Sequence, residues 1–339
     1  MTLQRLLRAA CLFVVVALLA AGVFAWSALN SEVPTEADGR IFEIEPGSSM
    51  TRVAANLQAD GLLESPRILT LYARFSGQAE KIQAGEYLLE AGQTPLDMLN
   101  AFVDGNVLLH SITLLEGWTV KEVLNALNRH PAVTLTLPEN ADVASLGKEL
   151  GLSHEHAEGL FYPETYSFPK GTPDTELLLQ AAALLDVELA AAWEARAGGI
   201  PIKTPYELLT LASIIERETS VDDERGEIAG VFIRRLQQRM RLQTDPTVIY
   251  GLGDAYQGDI TRKHLKTDTP YNTYTRHGLP PTPIGLVSRA SLQAAANPEP
   301  GTSLYFVATG DGSGRHTFSD TLEEHNRAVA DYLKKTRRR

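Results

Sequence analysis

The sequence has one cysteine, three tryptophans and four methionines in 339 residues. A lone thiol, Cys11, excludes a disulfide framework and any cysteine-rich zinc or iron–sulfur site. Basic charge is the minority sign: 31 Lys and Arg stand against 42 Asp and Glu, a net charge of -11. Non-specific nucleic-acid binders need a basic face, so no nucleic-acid partner is expected. The eight histidines form no H-E-x-x-H pattern, and His154-Glu155-His156 reads as a solvated helix start. There is no G-x-S-x-G and no phosphate-binding glycine loop, so serine hydrolases and nucleotidases lack their motifs. No repeat or low-complexity segment occurs. No metal and no cofactor are expected. What remains is ordinary globular composition, 44% hydrophobic and 22% charged. The length suits two domains with something added, and it suffices for a sizeable core.

The addition is at the N-terminus. Arg5 and Arg8 precede an uncharged apolar run from Ala9 to Leu29. Those roughly 21 residues form a helix of about 31 Å, enough to cross a bilayer's hydrocarbon core. Trp26 falls near the far end, where interfacial tryptophan is common. The arginines on the near flank predict that residues 1–8 are a cytoplasmic tail and that the rest is exported. A cleaved signal peptide would have a shorter apolar core, so a retained anchor is favoured. Cys11 opens the run, whereas a lipid-modified cysteine would end it. The exported part then has no cysteine, which suits an oxidising compartment.

Residues 30–40 are polar, contain Pro34 and Gly39, and read as a linker. Beyond it the pattern predicts a strand at 41–44, a helix from Ser48 or Ser49 through Gln58, and a helix at 66–75 whose apolar Ile68, Leu69, Leu71, Tyr72 and Phe75 recur at near-helical spacing. A strand at 85–89 and a helix at 94–102 follow, with Leu96, Leu99 and Phe102 inward. The extended start, Pro-Gly turn and serine-capped helix resemble a LysM-type glycan-binding module, assigned to residues 41–106. A larger α+β domain is expected over 107–333, with a strand at 107–115 and a helix at 174–197. Residues 334–339 form a basic tail, read as a solvated, frayed end.

The chemistry gathers in one helix and the loops after it. Thr204 caps a helix with Pro205 at its first position and Glu207 at its third. At about 100° per residue from Leu208, the apolar side chains through Ile215 fill one wide arc. Thr210 and Arg217 lie opposite. Glu218 falls at about 280°, on the apolar face, and Glu216 at about 80°, on its other flank. A carboxylic acid among leucines and isoleucines is costly to ionise, and its raised pKa suits a general acid. The other reading is that either glutamate pairs with an arginine such as Arg225 or Arg234. The next helix, 222–239, puts Ile228, Val231, Phe232 and Leu236 inward and a basic face of Arg234, Arg235, Arg239 and Arg241 toward solvent. Thr244 or Asp245 caps a short helix, with Gln243 just before it as a hydrogen-bonding group. Tyr271, Asn272 and Tyr274 precede a Pro/Gly-rich loop. Aromatic planes beside amide and hydroxyl groups suit sugars, which have apolar faces and polar edges. A rigid surface loop is the alternative. Residues 304–308 read as a buried strand with a partner in 314–318.

The runs ASIIERET (212–219), RLQTDPTVIYG (241–251), YNTYTRHGLPPTPIG (271–285) and LYFVATGDGSGRHTF (304–318) strongly resemble the YceG-like/MltG family. Its members are membrane-anchored endolytic murein (peptidoglycan) lytic transglycosylases. The resemblance covers nearly the whole chain, and the long motifs keep their order. The family implies cleavage of the β-1,4 bond between N-acetylmuramic acid and N-acetylglucosamine in nascent glycan strands. The product is a 1,6-anhydro-muramic end, and elongation is terminated. It implies that Glu218, at the second acidic position of E-x-E-T, is catalytic. Gln243, Tyr271, Asn272 and Tyr274 are placed at the glycan by motif match and chemistry; Glu216 is set beside them and is the candidate second acid that a hydrolase would need. It further implies the bacterial inner membrane, with the catalytic domain outside the cytoplasm and peptidoglycan synthases nearby. A non-catalytic glycan-binding scaffold and a hydrolytic muramidase are the competing functions.

Overall fold

A computed structural model of the protein describes residues 3–336. Parts of the expected cytoplasmic and basic tails, namely Met1, Thr2 and Arg337 to Arg339, lie outside the described residues. The architecture is mixed α+β with small two-stranded sheets. Two compact units share it. One takes the residues up to His110 plus Ser167–Gly171; the other takes Ser111–Tyr166 and everything from Thr172.

The first unit opens with α1 (Leu3–Asn30), a helix long and apolar enough to cross a membrane. Then come β1 (Arg40–Ile44), α2 (Met50–Ala59), α3 (Pro66–Phe75), β2 (Gly85–Leu89) and α4 (Pro95–Asp104). β1 and β2 pair antiparallel, Phe42 opposite Tyr87. Alternation puts Phe42, Ile44, Tyr87 and Leu89 on one sheet face, where α2 and α4 cover them. Local chemistry fixes the helix starts. Ser49 caps α2 by accepting from the Arg52 amide, and Thr94 and Asp97 form a capping box on α4. Phe102 is the centre of this core, stacked on Phe42 at 6.0 Å and edge-on to Tyr87 at 4.8 Å.

Three details differ from the sequence reading. On α4 the inward residues are Met98, Leu99 and Phe102, with Leu96 only half-buried. On α3 the core takes Leu69 and Ala73, leaving Leu71, Tyr72 and Phe75 exposed. Residues 30–40 are not a free linker. Leu29 and Val33 are buried in the same core, the Val33 amide donates to the Gln93 carbonyl at 2.8 Å, and Thr35 Oγ1 donates to the Glu90 carbonyl.

β3 (Leu109–Thr113) begins in the first unit and ends in the second, where α5 (Val120–Arg129), β4 (Val133–Thr134) and α6 (Val143–Glu149) follow. β5 (Thr165–Pro169) is likewise divided, its last three residues belonging to the first unit, and β6 (Thr172–Pro173), α7 (Asp174–Glu194) and α8 (Pro205–Glu218) continue the second. A 3-10 turn at Asp222–Glu224 leads to α9 (Arg225–Gln237), α10 (Asp245–Leu252), α11 (Arg262–Lys266) and α12 (Arg289–Ala296). The hairpin β7 (Tyr305–Ala308) and β8 (His316–Ser319) precedes α13 (Leu322–Thr336). The hairpin aligns Phe306 with Phe318 and Ala308 with His316.

α8 is the axis of this unit, packed by α7, α9, α10 and α12. Its residues from Leu208 to Ile215 are all buried, Thr210 and Ser213 included. The wheel put Thr210 outside. Instead its hydroxyl donates to the Tyr206 carbonyl, and Ser213 Oγ donates to Thr210 and accepts from the Ile284 amide. A helix buried all round needs its hydroxyls bonded internally. The arginines of α9 also depart from a solvated face. Arg235 is buried, with Nε on the Leu304 carbonyl at 2.6 Å and Nη1 on the Leu242 carbonyl at 2.7 Å, while Arg234 holds the Ser303 carbonyl. Lys334 and Lys335 of the basic tail belong to α13, and Lys335 donates to the Thr309 carbonyl.

Phe102→Ala should lower the first unit's unfolding free energy by about 3–5 kcal/mol, the usual cost of a phenylalanine-sized cavity. Urea-dependent hydrogen exchange of the α2 and α4 amides measures it; a loss under about 1 kcal/mol would contradict this packing.

Candidate active site

The last turn of α8 sends three consecutive side chains to three destinations. Successive helical residues point about 100° apart. Glu216 turns toward α12. One of its oxygens accepts from the amide and hydroxyl of Ser288, the N-cap of α12, and the other faces Arg225 at 3.5 Å. Its side chain is 5% exposed and that of Arg225 8%. Glu216 is therefore the paired glutamate of the two readings, and it joins α8, α9 and α12. Arg217 turns the opposite way, and its Nη1 donates to the Gly117 carbonyl at 2.8 Å.

Glu218 ends α8 and lines a cavity of about 500 Å³. Among the described residues its carboxyl has no ion pair within 4 Å, and it accepts a short hydrogen bond from Thr244 Oγ1. Thr244 is the N-cap of α10, yet its hydroxyl serves Glu218 instead of the helix. The segment before it is held in place from the side. The Gln243 and Thr244 amides donate to Thr273, and Gln243 takes a positive φ of 50°, uncommon outside glycine.

Burial dominates the proton affinity of Glu218 and raises it above the ordinary 4.5. The Thr244 hydrogen bond and the charges of His316 and Arg235 oppose that, while Asp245 reinforces it. All three charged neighbours line the same cavity. His316 is oriented by the buried Glu224, which accepts from its backbone amide and faces its Nδ1 at 2.9 Å. Asp245 accepts from Tyr274 Oη at 2.6 Å, and burial, reinforced by that bond, pushes the Tyr274 hydroxyl up. Tyr305 and His325, stacked at 5.3 Å, complete an aromatic wall.

Of the residues singled out in sequence, the structure brings Gln243 and Tyr274 to Glu218 and leaves three elsewhere. Glu216 holds α12. Asn272 is buried and organises its own loop, donating to the carbonyls of His264, Leu265 and Thr267 and accepting from the Tyr274 amide. Tyr271 bonds Thr282 and lines a different cavity. Sequence reasoning had passed over Asp245, His316, Arg235 and His325 as site residues. The run containing His316 was already in view as a motif, but Glu224, which aims the ring, is 92 residues away.

The sequence profile of the YceG-like family matches residues 42–331. The chain belongs to the YceG-like family. An endolytic murein transglycosylase of Bacillus subtilis (strain 168) is 30% identical over 322 residues, covering 88% of this chain and 87% of that protein. The Streptococcus pneumoniae (strain D39) protein of the same name is 26% identical over 351 residues, covering 93% of this chain. The match spans 63% of that longer protein. Among solved structures, a Listeria monocytogenes protein described as YceG-like superposes with a TM-score of 0.55 at 30% identity. That likeness covers 86% of this chain and 99% of the other.

The raised pKa of Glu218 has a consequence for stability. Between the unfolded value near 4.5 and the higher folded value, the folded chain binds more protons than the unfolded chain. Stability therefore falls as pH rises through that window. Glu218→Gln removes the effect, so its melting-temperature advantage over wild type should grow from pH 4.5 upward and then level off. A difference that stays flat with pH would mean that burial does not favour the protonated form.

Proposed function

We propose that the protein is an endolytic murein lytic transglycosylase with Glu218 as its single acid–base group. The observation that carries this reading is a buried carboxyl, free of any ion pair among the described residues, at a cavity lined by tyrosines and an amide. Burial favours the protonated form of such a group, the form that can give a proton away. The names of the B. subtilis and S. pneumoniae relatives supply the substrate.

The reaction follows from one acid. The protonated Glu218 gives its proton to the glycosidic oxygen between muramic acid and glucosamine, and the C1–O bond breaks. An oxocarbenium-like centre forms at the muramic C1. Glu218, now a carboxylate, takes the proton of the muramic C6 hydroxyl as that oxygen bonds to C1. The product ends in a 1,6-anhydro ring, no water is consumed, and Glu218 is protonated again. Arg235 and His316 favour the carboxylate that exists between the two transfers. Thr244 holds its oxygen in place. Gln243 and Tyr274 offer polar and stacking contacts to the sugars. Helix α1 anchors the chain in the bacterial inner membrane, with everything after it outside the cytoplasm beside peptidoglycan synthases. Cleavage there terminates growing strands.

One observation favours weighing a hydrolytic muramidase beside this. Hydrolysis of the usual kind needs a second carboxylate, and the one sharing the cavity is Asp245, not Glu216.

The test incubates the detergent-solubilised protein with uncross-linked peptidoglycan and reads the products by mass spectrometry. Anhydro ends are expected, with Glu218→Gln slower by about 10²–10⁴. Glu216→Gln should keep the anhydro product while melting earlier, because Arg225 loses a buried partner. Reducing ends that vanish in Asp245→Asn would instead establish the muramidase. A folded wild type that binds glycan without cutting it would establish the scaffold.

A further inference from the structure

A second cavity, of about 620 Å³, lies in the same unit and takes no part in the chemistry above. It opens where the N-terminal turns of α5 and α6 face the C-terminal end of α10. Its volume is that of a site for a small molecule or a short peptide. Tyr250 and Tyr271 form one wall, edge to face with ring centroids 4.8 Å apart.

The charges around this cavity are unevenly committed. Lys121 and Asp254 neutralise each other, both carboxylate oxygens lying 2.7 Å from the ammonium. Arg217 has no ion pair within 4 Å among the described residues, and only Nη1 is used, on Gly117. The rest of its planar guanidinium is left to face a carboxylate. Its charge does act on Glu158, a buried carboxyl held by the Val120 amide and Tyr250 Oη and pushed by burial up to about 7. When Glu158 is protonated, Arg217 is the uncompensated cation of the cavity. Asp142 and Glu122 line it too. Each uses a single oxygen for its own helix cap, Asp142 Oδ1 and Glu122 Oε2, leaving the other oxygen open to a cation.

An unpaired guanidinium, half-used carboxylates and an aromatic wall match a ligand with a carboxylate, an amine and an apolar middle. In murein a carboxylate and an amine occur together on the peptide branching from muramic acid, and every such amine is free in strands that carry no cross-link. We propose that this cavity binds the uncross-linked stem peptide of the glycan strand, its carboxylate on Arg217 and its free amine on Asp142 and Glu122. The assignment rests on the murein reading. The placement suits it: Asp245, at the start of α10, lines the cavity of Glu218, and Tyr250, about 7.5 Å further along the same helix, lines this one. Four extended peptide residues span about 13 Å.

The test compares uncross-linked strands carrying peptides with amidase-stripped strands of equal length, using the full chain in detergent. Arg217→Gln should raise KM about tenfold on peptide-bearing strands and leave stripped strands unchanged. Asp142→Asn with Glu122→Gln keeps both caps and should abolish the preference for a free over an acetylated amine. Equal losses on both substrates, or a wild type indifferent to the peptide, would overturn the proposal. Calorimetry separates this from failure of the murein reading. The soluble stem peptide alone should bind the Glu218→Gln protein and not the Glu218→Gln, Arg217→Gln double variant. Absence of binding to Glu218→Gln sinks the peptide site, whereas absence of anhydro products from wild type sinks the murein reading.

Discussion

Keeping one carboxyl out of water is the constraint around which the second unit is arranged. Glu218 sits at the end of a helix whose middle is buried on every side. A free carboxylate would not be tolerated there without compensation. The protein supplies a single hydroxyl, Thr244, and the side chains of Arg235 and His316, which line the cavity without forming an ion pair with it. The result is a carboxyl pulled both ways: burial favours its neutral form, while Thr244 and the neighbouring Arg235 and His316 favour its charged form. A full salt bridge would lock it ionised, and an apolar pocket without Arg235 and His316 would lock it neutral.

The supports of that group come from far along the chain. Arg235 on α9 reaches carbonyls at Leu242 and Leu304, so one buried guanidinium sets the positions of the segment before α10 and of the strand β7. Glu224 fixes His316 in the same manner from a 3-10 turn. Glu216 binds the start of α12. Buried charges are used here as joints between elements, each satisfied by carbonyls, amides or an opposite charge. The polar groups that the helical wheel left at the margins of α8 thus became its fasteners.

Much of this was legible in the sequence. The elements of the first unit follow from period, caps and Pro/Gly punctuation, because local chemistry decides them. The apolar run of α8 and the placement of Glu218 on its apolar flank needed only helical geometry. The identity of partners did not follow. Nothing near Glu216 announces that Ser288, 72 residues on, will occupy it. Asn272 and Tyr271 have the residue types of a sugar site, but their own loop claims the first and a second cavity the other. Composition marks where polar chemistry is dense, whereas long-range packing decides which groups share a cavity. The same limit explains α3, whose apolar face is wider than the core it meets.

The docking of Leu29 and Val33 into the first unit leaves no free tether after α1. A flexible linker would let a body wander about the end of its helix. Here the last turn of α1 is held by the same core that holds β1 and β2. Were α1 to cross a bilayer, a tilt of the helix would be passed to that core through Leu29 and Val33, with no slack segment to absorb it.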